Sequence, residues 1–317
     1  MIKKYEGCLI GLAIGDALGA PVEGLTLRDI RERYGINGLS DFDEFRGFKE
    51  GFYTDDTQMS LATAAGLIDA ENSREDIGYC DYTSEIYKRY LEWHESQADP
   101  EFRRGPGNTC LTALGSGIMG APDKRINDSK GCGGVMRAAP AGLAFPPKKA
   151  FDEGVRLAAI THGHPSGYLP AGFFAEMIAN IIRGRMPDEA AATAGKILIE
   201  HEQHEETLEK IDLAIELAES QHTVEFSINK LGRGWTGEEA LSISLYCSLL
   251  YFDDWGKGVL ASVNHSGDSD STGSITGAIL GTLLGVEKIP ARWVHDVENS
   301  VMIKQIAGEM YRLFGQK

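Results

Sequence analysis

Cysteine is sparse in this 317-residue chain: Cys8, Cys80, Cys110, Cys132 and Cys247 include no CxxC pair. No signal peptide precedes them, because an apolar helical pattern begins almost at once after Met1, and together these features predict a reduced, cytoplasmic protein. Basic residues are also short, 31 Lys plus Arg against 47 Asp plus Glu, for a formal net charge of -16. That balance argues against nonspecific attraction to nucleic acid or anionic membranes and leaves cations, small molecules and proteins as partners. Long apolar runs are missing too. Leu9 to Ile14 and Leu245 to Phe252 fall well short of the roughly 20 residues that cross a bilayer, so a soluble protein is expected. Finally, almost no segment alternates apolar with polar residues, whereas helical spacing covers most of the chain. With 42% hydrophobic residues, the expectation is an all-α protein with one domain over residues 1–317.

Two short acidic stretches stand out. Tyr53-Thr54-Asp55-Asp56-Thr57-Gln58 and Gly267-Asp268-Ser269-Asp270-Ser271-Thr272 each set two aspartates and neighbouring hydroxyls in a turn where an apolar helical pattern begins. Each offers several hard oxygen donors, the chemistry of magnesium, manganese or calcium and not of zinc. If the fold unites them, four carboxylates cannot all stay ionised unless cations sit among them. Two metals about 4 Å apart are a familiar hydrolytic arrangement. The alternative is that both stretches are ordinary helix N-caps, although the same chemistry occurring twice weakens it.

In chain order, residues 4 to 20 read as a helix with Gly7, Gly11, Gly15 and Gly19 four apart, and Gly273, Gly277, Gly281 and Gly285 repeat the device. Each interior glycine costs about 1 kcal/mol relative to alanine, so both helices are expected in close backbone contact at a crowded centre. Glu23 follows in a Gly/Pro turn and reads as a solvated surface residue or as a carboxylate beside the buried helix end. Residues 37 to 53, 97 to 109 and 121 to 134 read as loops, and long loops in a compact helical domain are often binding elements. Gly131, Gly133 and Gly134 would let backbone N–H groups approach an anion such as a diphosphate. His162 and His164 suggest a hydrogen-bonding corner, and His201 and His204 the solvated face of a Glu-rich helix. Residues 206 to 221 form an amphipathic helix with Leu208, Ile211, Ile215 and Ala218 inward. Trp235 is either a core residue or a surface on which a base stacks.

Five motifs occur in order: Gly11-Leu12-Ala13-Ile14-Gly15-Asp16-Ala17-Leu18-Gly19, Thr54-Asp55-Asp56-Thr57, Gly133-Gly134-Val135-Met136-Arg137-Ala138-Ala139-Pro140, Thr161-His162, and His265 to Gly273. Together they resemble the ADP-ribosylglycohydrolase family, over about residues 5 to 285. The resemblance implies a single compact orthogonal helical domain, two Mg2+ ions (Mn2+ as the substitute), and release of ADP-ribose from a protein side chain, often arginine. It implies Thr54, Asp55, Asp56, Asp268, Asp270 and Ser271 as metal ligands, and Glu23 as an acidic group that positions water or gates the substrate. Substrate contacts follow at Asn108, Ser129, Lys130, Gly131, Cys132, Gly133, His162 and Trp235.

Cleavage at ribose C1 passes through an oxocarbenium-like state, helped by a held water and a nearby base, Asp56 or else Glu23. Asp99 or Glu101 would hold a guanidinium leaving group. Two other readings stay open: a binding module for an ADP-ribosylated or ADP-ribosylating partner, such as an immunity protein against an ADP-ribosyltransferase toxin, and a two-metal nucleotide phosphohydrolase.

Overall fold

The computed structural model describes residues 1–315, apart from the side chains of 75–77. The helical spacing of the apolar residues is realised as sixteen α-helices, and no strand occurs among the described residues. In chain order they are α1 (Ile2–Gly19), α2 (Leu27–Tyr34), α3 (Asp55–Ile77), α4 (Tyr82–Ser96), α5 (Asn108–Gly115), α6 (Ala139–Ala144), α7 (Lys149–Ala159), α8 (Pro165–Ile182), α9 (Pro187–Leu198), α10 (Glu205–Glu219), α11 (Val224–Leu231), α12 (Gly237–Leu250), α13 (Trp255–Val263), α14 (Ser269–Leu284), α15 (Ala291–Asp296) and α16 (Ser300–Phe314). The all-α fold read from the sequence is the one observed. No single helix among the described residues is long and apolar enough to cross a membrane.

The glycine spacing explains the centre. Helices α1 and α14 lie against each other, antiparallel, with their glycines face to face. A Cβ on Gly7 would sit 2.2 Å from the Gly281 carbonyl oxygen, one on Gly11 2.3 Å from that of Gly277, and one on Gly15 2.0 Å from that of Gly273. No side chain fits between these backbones, so the helix-propensity cost of the glycines is offset by contact that only glycine permits. The pairing carries a consequence for the acids. It sets Gly19, at the end of α1, against Ser269 and Asp270 at the start of α14. The second acidic stretch is thereby drawn inside, and Ser269 to Ser271 form the first turn of α14 instead of preceding it.

Several local expectations need correction. His201 and His204 lie outside any helix, in the connection before α10. His201 stacks on Phe151 with ring centroids 4.8 Å apart, so it packs where the sequence suggested solvation. The inward face of α10 is Thr207, Ile211, Ala214 and Leu217. Leu208, Ile215 and Ala218 are only half-buried at its flank, because the helix turns its narrower apolar stripe to the core. The loop at 97–109 ends two residues early, as α5 begins at Asn108.

Candidate active site

Helix geometry aims the first acidic stretch. Thr54 caps α3, so Asp55 and Asp56 fall in its first turn, where a helix N-terminus favours negative charge. Asp268 caps α14, its carboxylate accepting the Ser271 N–H, and Asp270 lies in that helix's first turn. The two N-termini converge. Thr54 Oγ1 is 3.3 Å from Asp270 Oδ2, across 216 positions of sequence.

Asp16, which received no role from the sequence, fastens the first acidic stretch to α1. Fully buried in α1, it accepts the N–H groups of Thr54 and Thr57 at 2.9 Å each, and their hydroxyls at 2.8 and 2.6 Å. An aspartate inside an otherwise apolar, glycine-spaced helix was the available signal. A charge at such a position persists only with partners of its own.

The acids crowd one another. Burial first, then the charge of Asp270, pushes Asp16 up to about 7. Glu23 is raised to about 8, by Asp270 first and burial second. It is therefore neither a solvated surface group nor free of the cluster. Burial and the surrounding carboxylates likewise hold Asp55, Asp56 and Asp268 well above the usual aspartate range. Asp56 Oδ1 is buried without a hydrogen-bond partner. Hard oxygens, excess negative charge and an orphaned carboxylate oxygen suit a divalent cation of the magnesium type. Among the described residues no three His, Cys, Asp or Glu side chains already form a ligand cage. A cation here would draw on hydroxyls and water as well, as magnesium commonly does.

The cluster floors a cleft of about 210 Å³. Glu23, Asp55, Asp56, Asp268, Asp270 and Ser271 meet there with Asn108, Gly131, Cys132, Gly133, His162 and Trp235. A larger hollow of about 820 Å³ lies between Leu27, Ile36 and Val224 and touches none of these acids, so size alone would mislead. Trp235 is 45% exposed, which removes the core reading of that residue. The loop needs its glycines because His162 fills the space: a Cβ on Gly133 would meet Cys110 Sγ at 3.0 Å and His162 Cε1 at 3.1 Å.

Other expected contacts lie elsewhere. Ser129 turns its hydroxyl to Thr109 and the Gly131 N–H, and Lys130 pairs with Glu206 at 2.7 Å. Neither lines the cleft, because a tight turn presents backbone on one side and side chains on the other. Thr54 is buried behind the acids. Cys132 contributes more than backbone, since its thiol donates to Asp268 Oδ2 at 2.8 Å. Asp99 and Glu101 are exposed and outside the cleft wall, and Asp99 accepts the Glu101 N–H within its own turn. His164 is a hydrogen-bonding corner, its Nδ1 accepting the Ser166 N–H at the start of α8.

Comparison with known proteins gives the family. The sequence profile of the ADP-ribosylglycohydrolase family matches residues 1–317. The chain is similar to an ADP-ribosyl-(dinitrogen reductase) glycohydrolase of Rhodospirillum rubrum, 28% identical over 93% of this chain and 90% of that protein. It is similar to an ADP-ribosylarginine hydrolase of Pseudomonas putida, 26% identical over 98% and 78%, and to an ADP-ribosylhydrolase of Homo sapiens, 23% identical over 99% and 94%. A solved structure described as an ADP-ribosylglycohydrolase-related protein complex shares the fold, with a TM-score of 0.77 at 24% identity and 98% of each chain covered. With its two acidic helix starts beside a glycine-lined cleft, the chain belongs to the ADP-ribosylglycohydrolase family of ADP-ribosyl hydrolases.

Proposed function

We propose that the chain is a divalent-cation-dependent hydrolase that releases ADP-ribose from a modified protein side chain by cleaving the bond at ribose C1. One observation carries the cation dependence: five carboxylates crowd one cleft floor, and Asp56 Oδ1 among them lacks any partner. Thr54, Asp55, Asp56, Asp268, Asp270 and Ser271 would hold two Mg2+ ions, with Mn2+ as the substitute. Bound there, the ions supply charge neutralisation and Lewis acidity toward hydroxyl oxygens.

The remaining work falls to the protein. Asp56 takes the proton of the water that attacks C1, and Glu23, at the rim of the same acids, is the second candidate for that proton. The glycine loop of Gly131 to Gly133, which lines the cleft, receives the diphosphate. Trp235 stacks its exposed indole on adenine, and Asn108 and His162 orient the sugar and phosphates. Arginine is the proposed side chain, on the strength of the Pseudomonas putida relative's name.

The test is incubation with Mg2+ and arginine-, serine- and O-acetyl-linked ADP-ribose, with chromatography of the products. Free ADP-ribose from the arginine linkage is expected. Release from another linkage alone would overturn the side-chain assignment, and phosphate release or binding without product would overturn the hydrolytic reading.

A further inference from the structure

Arg137 is fully buried, and no carboxylate pairs with it among the described residues. Its Nη1 points at Met59 Sδ and Cys110 Sγ, 3.4 and 3.7 Å away. Its Nη2 donates to the Leu157 carbonyl at 3.1 Å and to Thr161 Oγ1 at 2.6 Å, and its Cζ lies 4.2 Å from the Tyr90 ring centroid. Nε has no partner. A buried guanidinium without an acid is costly, so its persistence needs a use.

Thr161 connects it to the cleft. Its Oγ1, already accepting from Arg137, is 2.8 Å from Nδ1 of the neighbouring His162. A guanidinium can only donate, so it occupies a lone pair of the threonine oxygen and leaves the single hydroxyl hydrogen for another acceptor. The Leu157 carbonyl four residues back is engaged by Arg137, and the Cys110 thiol, also within reach of Thr161, is a weak acceptor. Nδ1, at 2.8 Å, is the better-placed acceptor.

We infer that Arg137, acting through Thr161, is a positioning residue that locks His162 as the Nε2–H tautomer, so that its cleft-facing nitrogen is a fixed donor to an anionic oxygen of bound ADP-ribose. The ring edge is oriented for this. Nε2 would be 3.3 Å from a Cβ on Gly131 or Gly133, against the glycine loop that lines the cleft. Burial and the Arg137 charge together push His162 down to about 3, so the ring stays neutral and the tautomer alone decides what it recognises. This inference rests on the cleft binding ADP-ribose, as in the proposed function, but the tautomer can be read without ligand.

The experiment uses the full chain with 15N-labelled histidine, His162→Gln to assign the resonance, and long-range 1H–15N correlation to read the ring. The intact protein is expected to show His162 protonated at Nε2. Thr161→Val should lose that tautomer and weaken ADP-ribose binding, measured by calorimetry, about tenfold, while Thr161→Ser should restore both. Arg137→Met, if it folds, should shift the ring toward a tautomer mixture. An Nδ1–H ring in the intact protein, or an unchanged tautomer in Thr161→Val, overturns the inference. Failure of the intact protein to bind ADP-ribose would instead remove the hydrolase reading, and the unliganded spectrum would still decide the tautomer.

Discussion

Asp56 has one carboxylate oxygen with nothing to bond, and the surrounding acids and burial raise its pKa well above the usual range. A group arranged for folding alone would not be left this way, because a buried unpaired acceptor costs about 1–3 kcal/mol. Two opposite effects of Asp56→Asn follow. Turnover should fall by about two orders of magnitude or more with the helical circular-dichroism signal unchanged, as for the loss of a general base. In cation-free buffer near pH 8 the same change should raise the thermal midpoint, since it removes a carboxylate whose ionisation the folded state resists. A lowered midpoint in that buffer would show that the crowding account is wrong. The place of Asp56 at a helix start was legible from Thr54-Asp55-Asp56-Thr57, but the contacts of Asp16 were not. Its four donors come from Thr54 and Thr57, and no local rule links them to a residue in the middle of α1.

At the scale of elements, the glycine faces of α1 and α14 decide how closely the two acidic stretches meet. Gly11→Ala would force a methyl to 2.3 Å from the Gly277 carbonyl oxygen and should destabilise the fold by about 3 kcal/mol, the upper end of the usual cost of overpacking. Gly195 provides the contrast. It lies within α9 with nothing within 4 Å of an added Cβ, so Gly195→Ala should stabilise by about 0.5–1 kcal/mol through helix propensity alone. Urea unfolding of the two variants checks both signs. Spacing in the sequence announced that each helix needed a close neighbour. That each is the other's neighbour, and antiparallel, depended on the intervening chain, which the spacing does not describe.

Across the whole molecule, the acids couple stability to pH and to cations. Asp16 and Glu23 have folded-state values of about 7 and about 8, above their ordinary values, so the folded state holds protons that the unfolded chain releases. The stability this contributes is complete below about pH 4 and is lost as pH rises through 7 and 8. Without divalent cations the melting temperature should therefore fall between pH 5 and pH 8.5. Millimolar Mg2+ should restore it at the alkaline end, because a ligand that binds only the folded state adds stability by mass action. A midpoint indifferent to Mg2+ at pH 8.5 would remove the cation site from this cleft. The net charge of -16 signals an acidic protein, but not that five of its carboxylates share one cleft.

By itself the sequence determined the helical class, the two hydroxyl-acidic helix starts, the glycine faces and the glycine-rich loop, because caps, spacing and turn chemistry are written in neighbouring residues. Only the tertiary structure decided that Asp16 fastens the first acidic stretch to α1, that Trp235 is open to solvent, that Ser129 and Lys130 turn away from the cleft, and that Arg137 lies buried behind His162. Those facts depend on which side chains meet across 20 to 76 positions of sequence, and a helix pattern records which face is apolar, not what that face will touch.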